Sequence, residues 1–339
     1  MILCGIECPR VYAKTGAFYY VDRARKWHRL GTNEHEAFRA YQERHAEVAR
    51  GTVASLMQRY IAEVLPRKAP RTQQDNLTEA RNLIGFFGAM QADAVEPIHV
   101  AQYLRLRGKT APVRANREKA LLSNLYTVAM TEWGVVNRNP CLGVHRNPES
   151  PKDRYVTHRE LEAFCSVANP IVRLWARMIF RLGQRPGDVL MLELSQVTDD
   201  GIFVRQGKTG EPVLIEWTDG LRADYEALLA LERVSVRKDK VLHPAPITPG
   251  AAIFRTRSGA HYTYDGMAAM FKRAMKKALE QGLLHESFSP HDLRAKAASD
   301  LDAVGGDAQQ LLGHRRRSTT DVYLRKRRDR RVKGVDLLL

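Results

Sequence analysis

Long apolar runs are missing from this chain. No stretch approaches the ~18 uninterrupted apolar residues that a bilayer span needs. The opening MILCGIECPRVYAK carries an acid and a proline where a secretory leader would place its apolar core. The expectation is a cytoplasmic protein with no membrane partner. Cysteine is scarce too: Cys4, Cys8, Cys141 and Cys165 are scattered along 339 residues, which suits free thiols in a reducing compartment. Only Cys4 and Cys8 lie close together, and no second Cys/His pair stands nearby to complete a tetrahedral zinc site. Internal repeats and low-complexity stretches are absent. So is any carboxylate cluster suited to two metal ions, which disfavours a metal-dependent nuclease.

What the chain does have is positive charge. Its formal net charge is +16, with 44% hydrophobic and 27% charged residues, a globular composition with a cationic excess that attracts polyanions. The excess is spread over the whole chain rather than held in one tail. Nucleic acid is therefore the leading partner, ahead of a membrane surface. A length of 339 residues exceeds the ~100–200 typical of one domain and implies two or three folding units.

The first of these, residues 1–48, reads as a small sheet. Val11-Tyr12-Ala13, Ala17 to Val21 and Trp27 to Leu30 are short aromatic or β-branched runs separated by turn-prone residues, and a helix from Glu34 to Val48 follows them. From Thr52 the pattern becomes helical: Val53, Leu56, Met57, Tyr60 and Ile61 recur at helical spacing, as do Leu77, Ala80, Leu83, Ile84 and Phe87. Residues 49–146 are thus expected to form a four- or five-helix bundle ending near Asn139-Pro140. Val144 to Asp153, rich in proline and charge, reads as a linker. Residues 154–339 then alternate helices with one strand pair around Gly201 to Ile215. The expected class is mainly α with small β-sheets, α+β.

Chemistry concentrates in four stretches of the last part. Leu182-Gly183-Gln184-Arg185-Pro186-Gly187-Asp188 sets an arginine between two turns, with Asp188 as a supporting acid. Val204 to Gly210 is a hairpin tip presenting Lys208; its Gly-Lys-Thr is not a phosphate-cradling loop, because the spacing of the glycines is wrong. Ser289-Pro290-His291-Asp292-Leu293-Arg294 starts a helix with His291 and Arg294 three apart on one face, beside the positive end of the dipole. Leu312-Gly313-His314 is followed nine residues on by Tyr323. Singly, each stretch also fits a bland reading, as a surface turn, a cap or a packed phenol. Together they supply what phosphoryl transfer needs: paired guanidiniums for the non-bridging oxygens, a phenol that can attack and leave again, a lysine to protonate the departing oxygen and a histidine to take the phenolic proton.

In this order, Arg185, Lys208, His291 with Arg294, His314 and Tyr323, the residues resemble the tyrosine recombinase, or phage integrase, family. Leu-Gly-Gln before Arg185 departs from the Thr-Gly-hydrophobic run often found there. The resemblance implies a tyrosine recombinase catalytic fold preceded by a helical core-binding domain and a small three-stranded arm-binding domain. It also implies cofactor-free, metal-independent cleavage and rejoining of DNA attachment sites through a 3′-phosphotyrosyl link and a Holliday junction. The implied partners are a homotetramer on double-stranded DNA, with a host architectural protein and an excisionase as possible helpers. Tyr12, Tyr19, Arg23, Lys26, His28 and Arg29 are candidate contacts to arm DNA, with Phe18, Tyr20 and Trp27 as the alternative core; Arg117 and Lys296 are candidate contacts elsewhere. A catalytically silent DNA-binding accessory protein and a type IB topoisomerase-like enzyme are the competing functions.

Overall fold

A computed structural model describes residues 1–3, 6–8, 10–22, 25–44, 51–150, 153–207, 209–231, 235–237, 240–242, 250–256 and 258–325. The chain divides into two compact units, Met1–Ser150 and Pro151–Leu339, and the division falls inside the expected linker.

In the first unit a short antiparallel pair, β1 (Ile2–Leu3) and β2 (Ile6–Glu7), precedes the expected meander of β3 (Val11–Lys14), β4 (Ala17–Val21) and β5 (Trp27–Gly31). Strand parity sorts its side chains. Val11 and Leu30 are buried, with Phe18 and Tyr20 packed beside them, and helix α1 (Glu34–Arg44) covers this face with Ala37, Phe38 and Tyr41. Trp27 lies three residues before Leu30 and so points the other way. It is 49% exposed, so the alternative that placed it in the core with Phe18 and Tyr20 does not hold for this residue.

Helices α2 (Val53–Glu63), α3 (Pro70–Phe87), α4 (Pro97–Gly108) and α5 (Pro112–Thr131) follow. Each of the last three starts on a proline whose missing N–H costs nothing at a helix start. One hydrophobic core runs from Leu3 and Phe38 through Tyr60 and Leu83 to Tyr126. The expected boundary near residue 48 falls in 45–50, outside the described residues.

The second unit is built on α6 (His158–Val167), α7 (Pro170–Leu182), α8 (Pro186–Leu190), the hairpin β6 (Gly201–Arg205) and β7 (Pro212–Glu216), and α9 (Asp219–Leu229). A second hairpin that the sequence pattern did not reveal, β8 (Ser235–Arg237) and β9 (Lys240–Leu242), comes before α10 (Tyr264–Glu280), α11 (Pro290–Ala303), α12 (Ala308–Leu312) and α13 (Arg317–Asp321). Trp175 of α7 packs edge-on to Phe271 of α10, which meets Phe164 of α6 at 4.4 Å between ring centres. Helix α11 is buried from Asp292 to Ser299, so residues at its start are carried into the centre of the unit. Among the described residues no helix is long and apolar enough to cross a membrane.

Candidate active site

Two glycines shape the ends of the site. Gly183 stops α7 and Gly313 stops α12, both in the left-handed region with φ of 62° and 61°, where a side chain is strained. Space forbids one as well: a Cβ on Gly313 would lie 2.7 Å from Nε2 of Gln206, and one on Gly183 2.7 Å from the Leu311 side chain. The two chain reversals therefore approach each other closely, and Arg185 and His314 leave from neighbouring points.

Arg294 occupies the gap. It is fully buried, and its guanidinium donates to the Gly183 carbonyl at 2.9 Å, to the Leu312 carbonyl at 2.9 Å and toward Gln184 Oε1 at 3.4 Å. Burial first, then the charge of Arg185, pulls its pKa down to about 10, against the opposing pull of Tyr323 and Asp188. It remains a cation at neutral pH. Its Nε is buried with no hydrogen-bond partner, although such groups are nearly always satisfied.

His314 stands 3.2 Å from Arg294 through Nε2 and 3.1 Å from the Thr320 hydroxyl through Nδ1. Since guanidinium can only donate, Nε2 accepts and Nδ1 carries the proton. Burial, then Arg294 and Arg185, holds the imidazole pKa down at about 4. Between this value and the ordinary 6.5, the unfolded chain binds a proton that the folded chain refuses, so the contribution of His314 to stability is present above pH 6.5 and is lost as pH falls toward 4. The melting-temperature advantage of wild type over His314→Phe is accordingly expected to shrink between pH 7 and 4.5; an advantage that grows on acidification contradicts the neutral assignment.

Tyr323 completes the group. Its ring centre lies 5.2 Å from that of His314 and 5.3 Å from the guanidinium carbon of Arg294. Its backbone is held on both sides, by its own N–H donating to the Thr320 carbonyl at 2.7 Å and by the next turn, where the Arg325 N–H donates to Ser299 Oγ at 2.8 Å.

Arg185 donates to Gln206 Oε1 at 2.6 Å and lies 3.8 Å from Asp188. Asp188 accepts the Gly207 N–H at 3.0 Å, which ties the β6–β7 hairpin to the arginine turn. Lys208, the residue after Gly207, lies outside the described residues. His291 is exposed in the first turn of α11, one turn ahead of Arg294.

Among the described residues no set of three or more His, Cys, Asp or Glu side chains is gathered to hold a metal. Residues 154–330 match the phage integrase family. The chain belongs to that family. This phage integrase family member is 24% identical to the integrase of Enterobacteria phage P21 over 94% of its own length and 93% of that protein's. To the tyrosine recombinase XerC of Chromohalobacter salexigens it is 27% identical over 79% and 90%. In fold it is similar to a lambda integrase dimer bound to a COC′ core site, with a TM-score of 0.68 at 20% identity over 97% and 98% of the two chains. It is similar also to a lambda integrase tetramer bound to a Holliday junction, with a TM-score of 0.68 at 19% identity over 96% and 98%.

Two expected DNA contacts need correction. Lys296 is fully buried, with Nζ 2.8 Å from Asp300 and over the rings of Tyr155 and Phe180; it is an internal ion pair and cannot reach phosphate. His28 lies on the core-facing side of β5, stacked on Tyr20 and bound to Asp22 at 2.8 Å. Tyr12 and Arg29 are exposed on the outer face, where Tyr12 and Tyr19 meet Trp27 and Lys14 lies over the indole. Lys26 and Arg117 are exposed, and Arg23 lies outside the described residues. Gln184 and Gln206, both fully buried between the arginines, were not among the expected site residues. No periodicity marks them; the only sequence hint is that each sits within two positions of an expected catalytic residue.

Proposed function

We propose that this integrase-family chain is a site-specific DNA recombinase in which Tyr323 is the nucleophile. Its phenolic oxygen attacks the scissile phosphorus and forms the P–O bond of a 3′-phosphotyrosyl link; the bond to the 5′ oxygen breaks, and the DNA end leaves as a 5′-hydroxyl. The phenolic proton passes to His291, and the departing oxygen takes one from Lys208. Arg185 and Arg294 meet the charge that gathers on the non-bridging oxygens, with His314 beside them as a neutral hydrogen-bonding group. Attack by a 5′-hydroxyl of a partner duplex reverses the step, so no metal or nucleotide cofactor is required. The reading extends to a tetramer on paired attachment sites passing through a Holliday junction, assisted by a host architectural protein or an excisionase. It also extends to a three-part organisation in which residues 1–48 contact arm DNA through Tyr12, Tyr19 and Arg29 and residues 49–146 contact core DNA.

The observation that carries this reading is the meeting of Arg294, His314 and Tyr323 in one chain, with Arg185 on the same network. Incubating the protein with nicked duplexes of randomised sequence, in which the nick lets the cut fragment diffuse away, is expected to yield detergent-stable adducts without divalent metal. Proteolysis and mass spectrometry should map them to Tyr323. Adducts mapped to another residue would displace the assigned nucleophile. Tight binding with no adduct would favour the non-cutting accessory protein.

A further inference from the structure

We propose that Gln206 is a positioning residue for cleavage, acting with Gln184 as a neutral amide bridge that fixes the Arg185 guanidinium relative to that of Arg294. The inference rests on the recombinase reading and deepens it. Two guanidiniums gathered on one phosphate repel each other, and Arg185 already lowers the pKa of Arg294. Something has to hold them in place without cancelling the charge that the phosphate needs.

The amide pair does this with every hydrogen-bonding position in use. Gln206 Oε1 accepts from Arg185 Nη1 at 2.6 Å and from the Thr209 hydroxyl at 3.0 Å, while its Nε2 donates to Gln184 Oε1 and to the Leu312 carbonyl, both at 2.8 Å. Gln184 Oε1 accepts that bond and the Arg294 contact at 3.4 Å, and its Nε2 donates to the Leu311 carbonyl at 2.6 Å and the Leu182 carbonyl at 3.2 Å. An amide offers two donors and two lone pairs, and here each glutamine spends all four. A continuous line therefore runs from Arg185 through Gln206 and Gln184 to Arg294. Flipping Gln206 would turn its NH₂ on a cation and its oxygen on a carbonyl, so only one orientation is tolerated.

Glutamate in place of Gln206 would hold Arg185 as well, but would oppose its charge and meet two acceptors, Leu312 O and Gln184 Oε1, without a proton to give. A neutral dipole is the group that orients a guanidinium and leaves it cationic. Gly313 belongs to the same device, since a Cβ there would press to 2.7 Å from Gln206 Nε2. The bridge also spans three separated segments, the α7–α8 turn, the β6–β7 hairpin and the α12 end that leads to Tyr323.

The test uses the full-length protein and a nicked duplex captured by wild type, made either with the ordinary phosphodiester or with an uncharged methylphosphonate at the scissile position. Removing the phosphate charge removes the need for well-aimed arginines. With Gln206→Met, adduct formation is expected to slow about 30-fold on the phosphodiester, the scale of a small misplacement of a catalytic group, and by less than about threefold on the methylphosphonate, each relative to wild type. Duplex affinity should stay unchanged. Equal slowing on both substrates means a general structural defect and overturns the bridge, as does wild-type speed on the phosphodiester. Gln206→Glu keeps the shape of the side chain and an oxygen toward Arg185 but loses both N–H donors, and is read by the same two ratios if the methionine variant folds poorly. The absence of any wild-type adduct would overturn the recombinase reading and the bridge with it; a normal wild-type adduct with equal slowing overturns the bridge alone.

Discussion

Tyr323→Phe is expected to bind the captured duplex with wild-type affinity and to form no covalent adduct, a loss of more than about a thousandfold, as removal of a nucleophile requires. The substitution deletes one oxygen and little else. The ring keeps its contacts with His314 and Arg294, and the backbone at 323 keeps its bond to Thr320 and the neighbouring Ser299 anchor. Stability should therefore change by no more than about 1 kcal/mol, the worth of one hydrogen bond. Adduct yield on a denaturing gel, affinity by titration and melting temperature separate the outcomes. Wild-type adduct from the phenylalanine chain would mean that another residue attacks.

Much of the fold was legible because it depends on local periodicity. Buried residues of α2, α3 and α7 follow helical spacing, prolines and glycines stand at the helix ends, and the interunit boundary coincides with a stretch that offers no apolar face. What failed was where tertiary packing decides. Lys296 reads as a free cation on a helix, yet it stands among Ala295, Ala297 and Ala298 in the stretch of α11 that is buried on every side, with Asp300 four residues on as its partner. Small neighbours and an i, i+4 acid were the available signal. Residue type makes His28 a DNA contact and Trp27 a core alternative, whereas parity counted back from Leu30 turns His28 inward and Trp27 outward. In the site, Arg185, Arg294, His314 and Tyr323 were expected together because each sits in a recognisable stretch, and the fold brings them onto one network. Gln184 and Gln206 were missed because their roles depend on hydrogen bonds to residues 110 and 106 positions away, which no local pattern encodes.

Arg294→Lys is expected to be nearly as damaging to cleavage as loss of Tyr323, by about a thousandfold, although it preserves the charge. The guanidinium reaches two carbonyls, an imidazole nitrogen and an amide oxygen at once; an ammonium on a shorter stem offers no planar fork and leaves at least one of these carbonyls unpaired in the core. A stranded carbonyl costs about 1–3 kcal/mol, so the variant should melt lower, whereas its DNA affinity, carried by many phosphate contacts over the basic surface, should move little. Wild-type adduct rates in Arg294→Lys would remove the residue from the chemistry. Mixing this variant with Tyr323→Phe adds a sharper test. Tyr323 and Leu324 pack against Ala298 and Leu312 of the same chain, so each arginine pair is expected to serve the phenol beside it, and the mixture should form no adduct. Restored adduct formation would mean that the tyrosine leaves this packing and attacks in a neighbouring copy, with Ser299 releasing the backbone that it holds here.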